Sequence, residues 1–586
     1  MLDSIIYSDF LVIGAGLAGE RAAIEAVQSG LDVKIVTLVP PRRSHSSAAQ
    51  GGMQAAFGYS EMSKDDSSFE HFKDTVRGSD WGCDQKTAGL FCDSAVDAVK
   101  ELDGWGVPWT RINDKSGNDG LIAARNFGGT AKWRTCYCAD GTGHSLMMAM
   151  DNTTAKYGIP VFDRCEAVSL IMNEDRCTGA IVLDLRSGKP VSFIAKAVLI
   201  ATGGYGQLFE KTTNALICNG TGLSLVLNTG KGVLANMEAV QFHPTATVPD
   251  CLLITEGCRG DGGFLLDVNF HRFMPDYEPE AEDLASRDVV ARRMIRHIAD
   301  GFGVKSNYGM HLWLDIRHLG KKHIADNLRE VREMCINFLG IDPVNELIPV
   351  YPAQHYSMGG IRTDINCCCE DYGIKGLFAA GESACWDIHG FNRLGGNSLA
   401  ETVVAGKIAG RKASDWIRLN NPEISMSCAE HELKCQSERI RKIMEKSGGV
   451  NCFEIKSSMK KILTESAGVF RNKRDLEKAL AELKELLKKS ENVSLKMKPA
   501  YSSPELPEAL RITGMIHLAL CIVKGALLRE ESRGAHYRED FPNRNDELWL
   551  KRSLFRLNSD SGEPEVFYEN VDVSDFPPGK RGYGEK

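Results

Sequence analysis

The stretch Gly14-Ala15-Gly16-Leu17-Ala18-Gly19 narrows what this chain can fold into more than any other feature. It follows an apolar run, Phe10 to Ile13, and precedes an alanine-rich segment that closes near Gly30. That places G-x-G-x-x-G in its required setting of strand, turn and helix, where the glycines admit a pyrophosphate to the helix N-terminus. Gly14, Ala15, Gly16 and Gly19 are the expected contacts. The motif alone does not separate NAD from FAD. The second strand, Val33 to Leu38, ends without the Asp or Glu that normally holds a ribose, so Thr37 or a neighbour takes that place. This counts against a simple NAD site.

Two later segments repeat the theme. Ala197 to Ile200 runs into Ala201, Thr202, Gly203 and Gly204; Gly376 to Ala380 runs into Gly381 and Glu382, an acid suited to a ribose hydroxyl. Three such returns spread over nearly four hundred residues imply one nucleotide domain built from distant pieces, with Ala246 to Pro352 as an insertion. At 586 residues the chain also exceeds a single core. Glu430 to Glu530 turns helical and charged, with apolar spacing over Phe453 to Glu465, Lys473 to Lys489 and Pro507 to Arg529. The amphipathic segment from Asp475 reads as the solvated face of a small bundle, with membrane or calmodulin-type binding as the alternative. Asp540 to Lys586, carrying Pro542, Pro564, Pro577 and Pro578, reads as strands and loops.

Shortly after the second strand lies Arg42-Arg43-Ser44-His45-Ser46-Ser47-Ala48-Ala49-Gln50-Gly51-Gly52. Small residues here let backbone N–H groups approach a ligand, with Ser44, Ala49, Gly51 and Gly52 as expected cofactor contacts. His45 is the one good nucleophile in the run, placed to attack the ring methyl of a flavin; the alternative is a surface histidine on a basic, serine-rich loop. Further on, Asn392 to Ser398 opens a helix at Leu399, whose N-terminal dipole would face a flavin pyrimidine edge, with Ser398 as its N-cap.

Composition removes several classes. A net charge of -8 and a pI near 6.0 argue against nucleic-acid binding. Met1 to Asp9 has neither a basic n-region nor a long apolar run, so a cytoplasmic protein without a cleavable signal is expected. Gly514 to Leu528 is the longest apolar candidate for a membrane span, but His517 and Lys524 interrupt it and it is shorter than the roughly 20 residues needed. The 18 cysteines include no C-x-x-C. Cys136 and Cys138 form a C-x-C, and Cys367 to Cys369 are consecutive; neither fits zinc or iron–sulfur spacing, so reduced thiols and no bound metal are expected.

Five polar clusters remain: Gln241 to Thr245, Thr255 to Gly260, Ser286 to Asp288, His355 to Gly360, and Arg393 within Asn392 to Asn397. Taken singly, a His before Pro reads as a turn or core residue and an Arg before Asp as a helix salt bridge. Beside a flavin fold, their joint occurrence reads as a site.

These strings, together with Asp80 to Asp84, Trp133 to Tyr137, His271 to Glu280, Ala285 to Arg293, Asp387 to Ser398 and Arg533 to Asp540, resemble the flavoprotein subunits of the succinate dehydrogenase and fumarate reductase family over essentially the whole chain. The resemblance is strongest to the fumarate reductases whose membrane partner is a dihaem cytochrome b. It implies an α/β, Rossmann-like FAD-binding domain over 1–245 and 353–424, an inserted α+β capping domain over 246–352, a helical bundle over 425–535, and a small C-terminal domain over 536–586. It further implies FAD bonded covalently through His45, and a dicarboxylate pocket of His243, Thr255, His355 and Arg393. Arg287 would be the proton donor, relayed by Glu256 and Arg259, with Phe127 walling out water.

The implied partners are an iron–sulfur subunit and a membrane-embedded cytochrome b, holding the chain at the cytoplasmic face of the inner membrane. Succinate oxidation is the alternative direction. A soluble enzyme like L-aspartate oxidase lacks the linking histidine, so His45 disfavours it. A non-catalytic flavin scaffold is disfavoured by the joint presence of Arg287, His243, His355 and Arg393. Two features depart from the family: Ile112 to Arg125 is shorter than in close relatives, and the Cys367 to Cys369 run is unexpected. Cys258, beside Arg259, is expected to favour its thiolate and to be open to alkylation.

Overall fold

The computed structural model describes residues 5–113, 118–498 and 503–581. Parts of three sequence readings, on the N-terminal segment, on Ile112 to Arg125 and on the tail, lie outside the described residues.

The chain opens with β1 (Ile5–Ile13), α1 (Leu17–Gln28) and β2 (Val33–Val36), and later adds β3 (Val161–Phe162), β4 (Cys165–Asn173), β5 (Arg176–Asp184) and β6 (Lys189–Ile200). Together these form a sheet in the order β3-β2-β1-β6-β5-β4. β1 pairs in parallel with both β2 and β6, and β2 with β3, whereas β4, β5 and β6 form an antiparallel meander. Phe10 to Val12 are wholly buried, as suits a central parallel strand covered on both faces. Leu377–Ala379 pairs in parallel with the end of β6. Ile13 and Ala379 are both in register with Ile200, so the three glycine turns foreseen in the sequence open at one edge of one sheet. There Gly14 takes φ +113°, and a Cβ on it would lie 2.2 Å from the Ala201 carbonyl oxygen, which excludes any side chain.

A second layer is built from β7 (Val240–Thr247), β8 (Phe264–Leu266), α2 (Arg287–His297), β9 (Gly309–Asp315) and β10 (Ile348–Ser357). Its antiparallel sheet runs β7-β10-β9-β8 around a core that includes Ile254, Leu265, Val290, Met294 and Leu314. The boundaries expected at 245/246 and 352/353 fall inside β7 and β10, because both strands continue unbroken from one lobe into the other. The β7–β10 register slips between Gln241 and Phe242 and again between His243 and Ala246. Bulges on both sides of His243 re-aim its side chain relative to a regular strand.

Beyond the nucleotide fold come α3 (Asn397–Asn420), α4 (Met426–Glu445), α5 (Cys452–Ser466), α6 (Lys473–Ser490) and α7 (Glu505–Leu528). α6 buries Leu476, Ala479, Leu483 and Leu486 at helical spacing and turns its charges to solvent. α7 is apolar enough to cross a membrane by composition, yet its most apolar window is 78% buried, so it is the core helix of this bundle. Lys551–Leu557 and Pro564–Asn570 form a hairpin that joins Leu234–Ala235, Gly360–Arg362 and Ala384–Cys385 in a small sheet. The tail then crosses the nucleotide domain. Phe576 stacks on Trp81 and exchanges two backbone hydrogen bonds of 2.9 Å with the Gln85 amide, and Arg581 reaches Asp288 on α2 at 2.7 Å. Cys367 and Cys369 pack into apolar cores and Cys367 Sγ faces the Ala405 carbonyl, which accounts for those two members of the consecutive run as packing residues.

Candidate active site

A cavity of about 330 Å³ lies where the glycine turns meet the second layer. Its wall carries Gly14, Ala15, Gly16, Thr37, Ser44, His45, Ala49, Gly51, Gly52, Ala201, Thr202, Gly203, Glu382, Ser398 and Leu399, all singled out in the sequence. Gly19 is not on the wall. It backs the first turn, where a Cβ would lie 1.9 Å from the Gly14 carbonyl oxygen, so its part is close packing of helix on turn. Thr37 is on the wall but donates to the Val39 carbonyl at 2.8 Å.

The expected N-cap at Ser398 is a correction. Gly396 caps α3 with φ +81° and no side-chain bond, while Ser398 sits in the first turn and accepts from Arg393 Nη1 at 2.8 Å. The helix thus presents bare N–H groups to the cavity.

Several polar atoms of the wall bear on whether a dinucleotide fits there. Ser44 Oγ, Gln50 Oε1, Thr202 Oγ1, Asn219 Nδ2 and Arg393 Nε are buried, belong to residues lining the cavity and have no partner in the protein. Five such atoms around one apolar-floored cleft, with helix N-termini of α1 and α3 opening on it, fit a large polar ligand with an anionic centre.

Six of the predicted site residues, His243, Thr255, Glu256, Arg259, Arg287 and His355, come from the second layer or its strands. His243 and His355 meet edge-on, 4.9 Å between centroids. Thr245 N–H donates to His243 Nδ1 at 3.2 Å, which leaves Nε2 to carry the ring proton as a donor. Both rings are held well below the ordinary imidazole range, first by desolvation, then by Arg287, Arg259 and Arg393 for His243 and by His243 and Arg393 for His355. They are therefore neutral at pH 7. Thr255 and Glu256 sit beside them on the wall.

Arg287 Nε donates to Glu256 Oε2 at 2.7 Å, and Gly128 N–H donates to Glu256 Oε1 at 2.7 Å. Burial opposes ionisation of Glu256, but Arg287 and Arg259 outweigh it and hold the carboxyl below its usual range. Arg259 lies behind this pair, off the wall, with Nη1 on the Asp283 carbonyl and Nε and Nη2 unpartnered.

From the opposite side comes Arg393. Burial, then Arg287, depress its pKa, and burial raises that of Glu382, whose Oε1 accepts from Ser357 N–H at 2.9 Å. The two lobes touch at Gly395, where a Cβ would lie 2.6 Å from the Phe127 ring and 2.9 Å from Arg287 Nη2. Phe127, 1% exposed, closes that seam.

His45 is half-buried at the wall. Asn214 Nδ2 stands 3.2 Å from its Nε2 and Ala215 N–H donates to its Nδ1 at 3.3 Å. Desolvation, then Arg393, lower its pKa to about 4, so the ring is unprotonated at neutral pH. The contacts from Asn214, Ala215, Asn219 and Glu166 escaped sequence reasoning; the Asn219-Gly220 turn before a helix was the only available signal. Cys258 is a second correction. Its thiol is fully buried and pushed well up, by desolvation first and then Asp261, so it is not a thiolate. Among the described residues, no group of three or more His, Cys, Asp or Glu could hold a metal ion.

Residues 9–399 match the FAD binding domain family and residues 456–583 match the fumarate reductase flavoprotein C-terminal family. The chain is 46% identical to the fumarate reductase flavoprotein subunit of Helicobacter pylori, over 99% of this chain and 88% of that one. It is 37% identical to the succinate dehydrogenase flavoprotein subunit of Rickettsia conorii, over 98% of each. A solved chain of Escherichia coli quinol fumarate reductase superposes with a TM-score of 0.93 at 33% identity, covering 100% of both chains. The architecture read from the sequence, an α/β FAD-binding domain with a capping layer and a C-terminal helical domain, is the one these relatives share. The chain belongs to the fumarate reductase and succinate dehydrogenase flavoprotein subunits, the catalytic FAD-binding chains of those enzymes.

Proposed function

We propose that this chain is the flavoprotein of a quinol:fumarate reductase and reduces fumarate to succinate. The observation that carries the reading is the pair Arg287 and Arg393, both buried on one cavity, with Arg393 meeting no carboxylate at ion-pair distance among the described residues. A buried cation without a counter-ion is costly, and an anionic substrate supplies the missing charge.

FAD, when bound, supplies the hydride from its N5; the chain does the rest. Arg393 grips one carboxylate through its fork. His243, through Nε2–H, with His355 and Thr255, donates to the other carboxylate and draws electron density from the double bond. Arg287 gives a proton to the second alkene carbon. Its Nε hydrogen bond to Glu256 Oε2 is the route by which that proton is replaced, with Arg259 next behind. Phe127 keeps water from the seam. His45 would hold the flavin covalently through its imidazole; its neutral, cavity-facing ring supports this.

An iron–sulfur subunit and a membrane cytochrome b with two haems deliver the electrons, and place the chain peripherally at the cytoplasmic face of the inner membrane. The multi-subunit character of the related enzymes supports this assembly. The likeness to the Rickettsia conorii succinate dehydrogenase favours a second reading, the same site run in the oxidising direction.

Acid precipitation of the purified protein tests the linkage: a yellow, fluorescent pellet is expected, and free FAD in the supernatant overturns it. Oxidation of a reduced viologen dye by fumarate tests the activity, and its ratio to succinate oxidation in the intact complex tests the direction. Co-purification from membranes with a haem-containing subunit and an iron–sulfur signal tests the partners.

A further inference from the structure

Arg393 is buried, its Nη1 bonds only a hydroxyl, and its Nε has no partner. What it does meet is an aromatic face: the guanidinium carbon lies 4.3 Å from the centroid of the Tyr356 ring. That ring is itself fixed from behind. Tyr356 Oη donates to Glu401 Oε2 at 3.0 Å, and His389 Nε2 lies 3.3 Å from both Tyr356 Oη and Glu401 Oε2. The His389 ring stands edge-on to Tyr356, 5.2 Å away at 89°. Tyr356, Glu401 and His389 are buried, and they belong to three separate pieces of chain.

We propose that Tyr356 is the positioning residue for the substrate-gripping fork of Arg393, with Glu401 and His389 locking the ring in place. The inference rests on the dicarboxylate-binding role proposed above for Arg393. Its physical basis is what a ring does that a carboxylate cannot. A carboxylate partner would occupy the in-plane N–H donors of the guanidinium, the groups a substrate carboxylate needs. An aromatic face stabilises the cation from above its plane and leaves those donors free. A Tyr hydroxyl bonded to Glu401 places negative charge behind the ring and strengthens that attraction. Burial and Glu401 also push the Tyr356 pKa well up, so the hydroxyl remains a donor at working pH.

The test uses the flavin-loaded holoenzyme and malonate, a saturated dicarboxylate that cannot be reduced, with binding read from the perturbation of the flavin absorbance. Y356L is expected to raise the malonate Kd and the fumarate KM about tenfold or more, whereas Y356F, which keeps the ring, stays within about threefold. E401Q, which makes no cavity, is expected to raise Kd about threefold. Covalent flavin content and reduction by dithionite should not move in any variant, which separates positioning from misfolding.

Should Y356L fail to fold, E401Q carries the decision: an unchanged malonate Kd in that variant overturns the proposal, as does a Y356L enzyme that binds malonate within twofold of wild type. A wild type that neither binds malonate nor turns over fumarate overturns the underlying reading instead.

Discussion

Two regions of this molecule bury arginines, and they treat them in opposite ways. Near the C-terminus, Arg529 is wholly buried with Glu238 at 2.9 Å and Glu531 at 3.0 Å; Arg533 pairs with Glu531 and Asp546, both at 2.9 Å. Arg552 pairs with Asp387 and with Asp84. On the cavity wall, Arg393 has only a hydroxyl and a ring, and Arg259, off the wall behind Arg287 and Glu256, has only a carbonyl. The protein completes the first set and leaves the second incomplete. Since an unpaired buried charge costs several kcal/mol, about 3–5 when a partner is deleted, an arginine left so on the wall of a cavity marks a place where a ligand can supply the missing charge. The contrast separates arginines that hold the fold from an arginine proposed above to hold a substrate.

That contrast can be broken by substitution. R393M should lower dicarboxylate turnover by about 10³-fold, the loss expected when a buried, hydrogen-bonded charge pair is removed. Its thermal midpoint should be unchanged or raised, because a lone buried cation has gone. R287Q should cost on the order of 10²–10⁴ in turnover, with flavin reduction by dithionite intact. R529M should do the reverse, destabilising the fold by about 3–5 kcal/mol in denaturant titration while each folded molecule keeps its activity.

A smaller effect concerns protons. His71 is buried against Asn397, and desolvation, then Arg134, lower its pKa to about 3. Below the unfolded value near 6.5, the unfolded chain binds a proton that the native one refuses. Its contribution to stability is therefore lost as pH falls from about 6.5 toward 3, at up to roughly 1.4 kcal/mol per pH unit. H71N should flatten this part of the stability profile, measured on the flavin-free chain. The smallest effect is expected from thiol reagents. A maleimide should label the exposed Cys435 rather than the buried Cys258, changing activity less than about twofold; C435S should remove that label.

Much of the site was legible because its parts are local. A strand, a glycine turn and a helix are written in consecutive residues, and each of the three returns could be placed without knowing the others. The strings around His243, Glu256, Arg287, His355 and Arg393 stood out because their chemistry is unusual for their context. What stayed hidden depends on pairs far apart in sequence or on backbone detail. Asn214 reaches His45 across 169 positions, and the Tyr356 face meets Arg393 only because β10 and the loop before α3 pass side by side. Gly396 took the cap from Ser398 because the chain enters α3 through the left-handed region, and Ser398 was already engaged by Arg393. Cys258 was misjudged because charge neighbours are visible in a sequence and solvent exclusion is not.

The crossing of the tail has a bearing on how such a molecule is made. Asp288, next to the proposed proton donor, waits 293 residues for Arg581, and Gln54 on the flavin loop waits 341 for the Gly395 carbonyl. During synthesis neither pairing exists until most of the polypeptide has left the ribosome, and loop-closure cost delays such distant contacts further. These contacts across the seam thus form only after the long stretches of chain between their partners have been made, and the core of the nucleotide lobe, which includes Leu399, Ala400 and Val403, is completed in the same late interval.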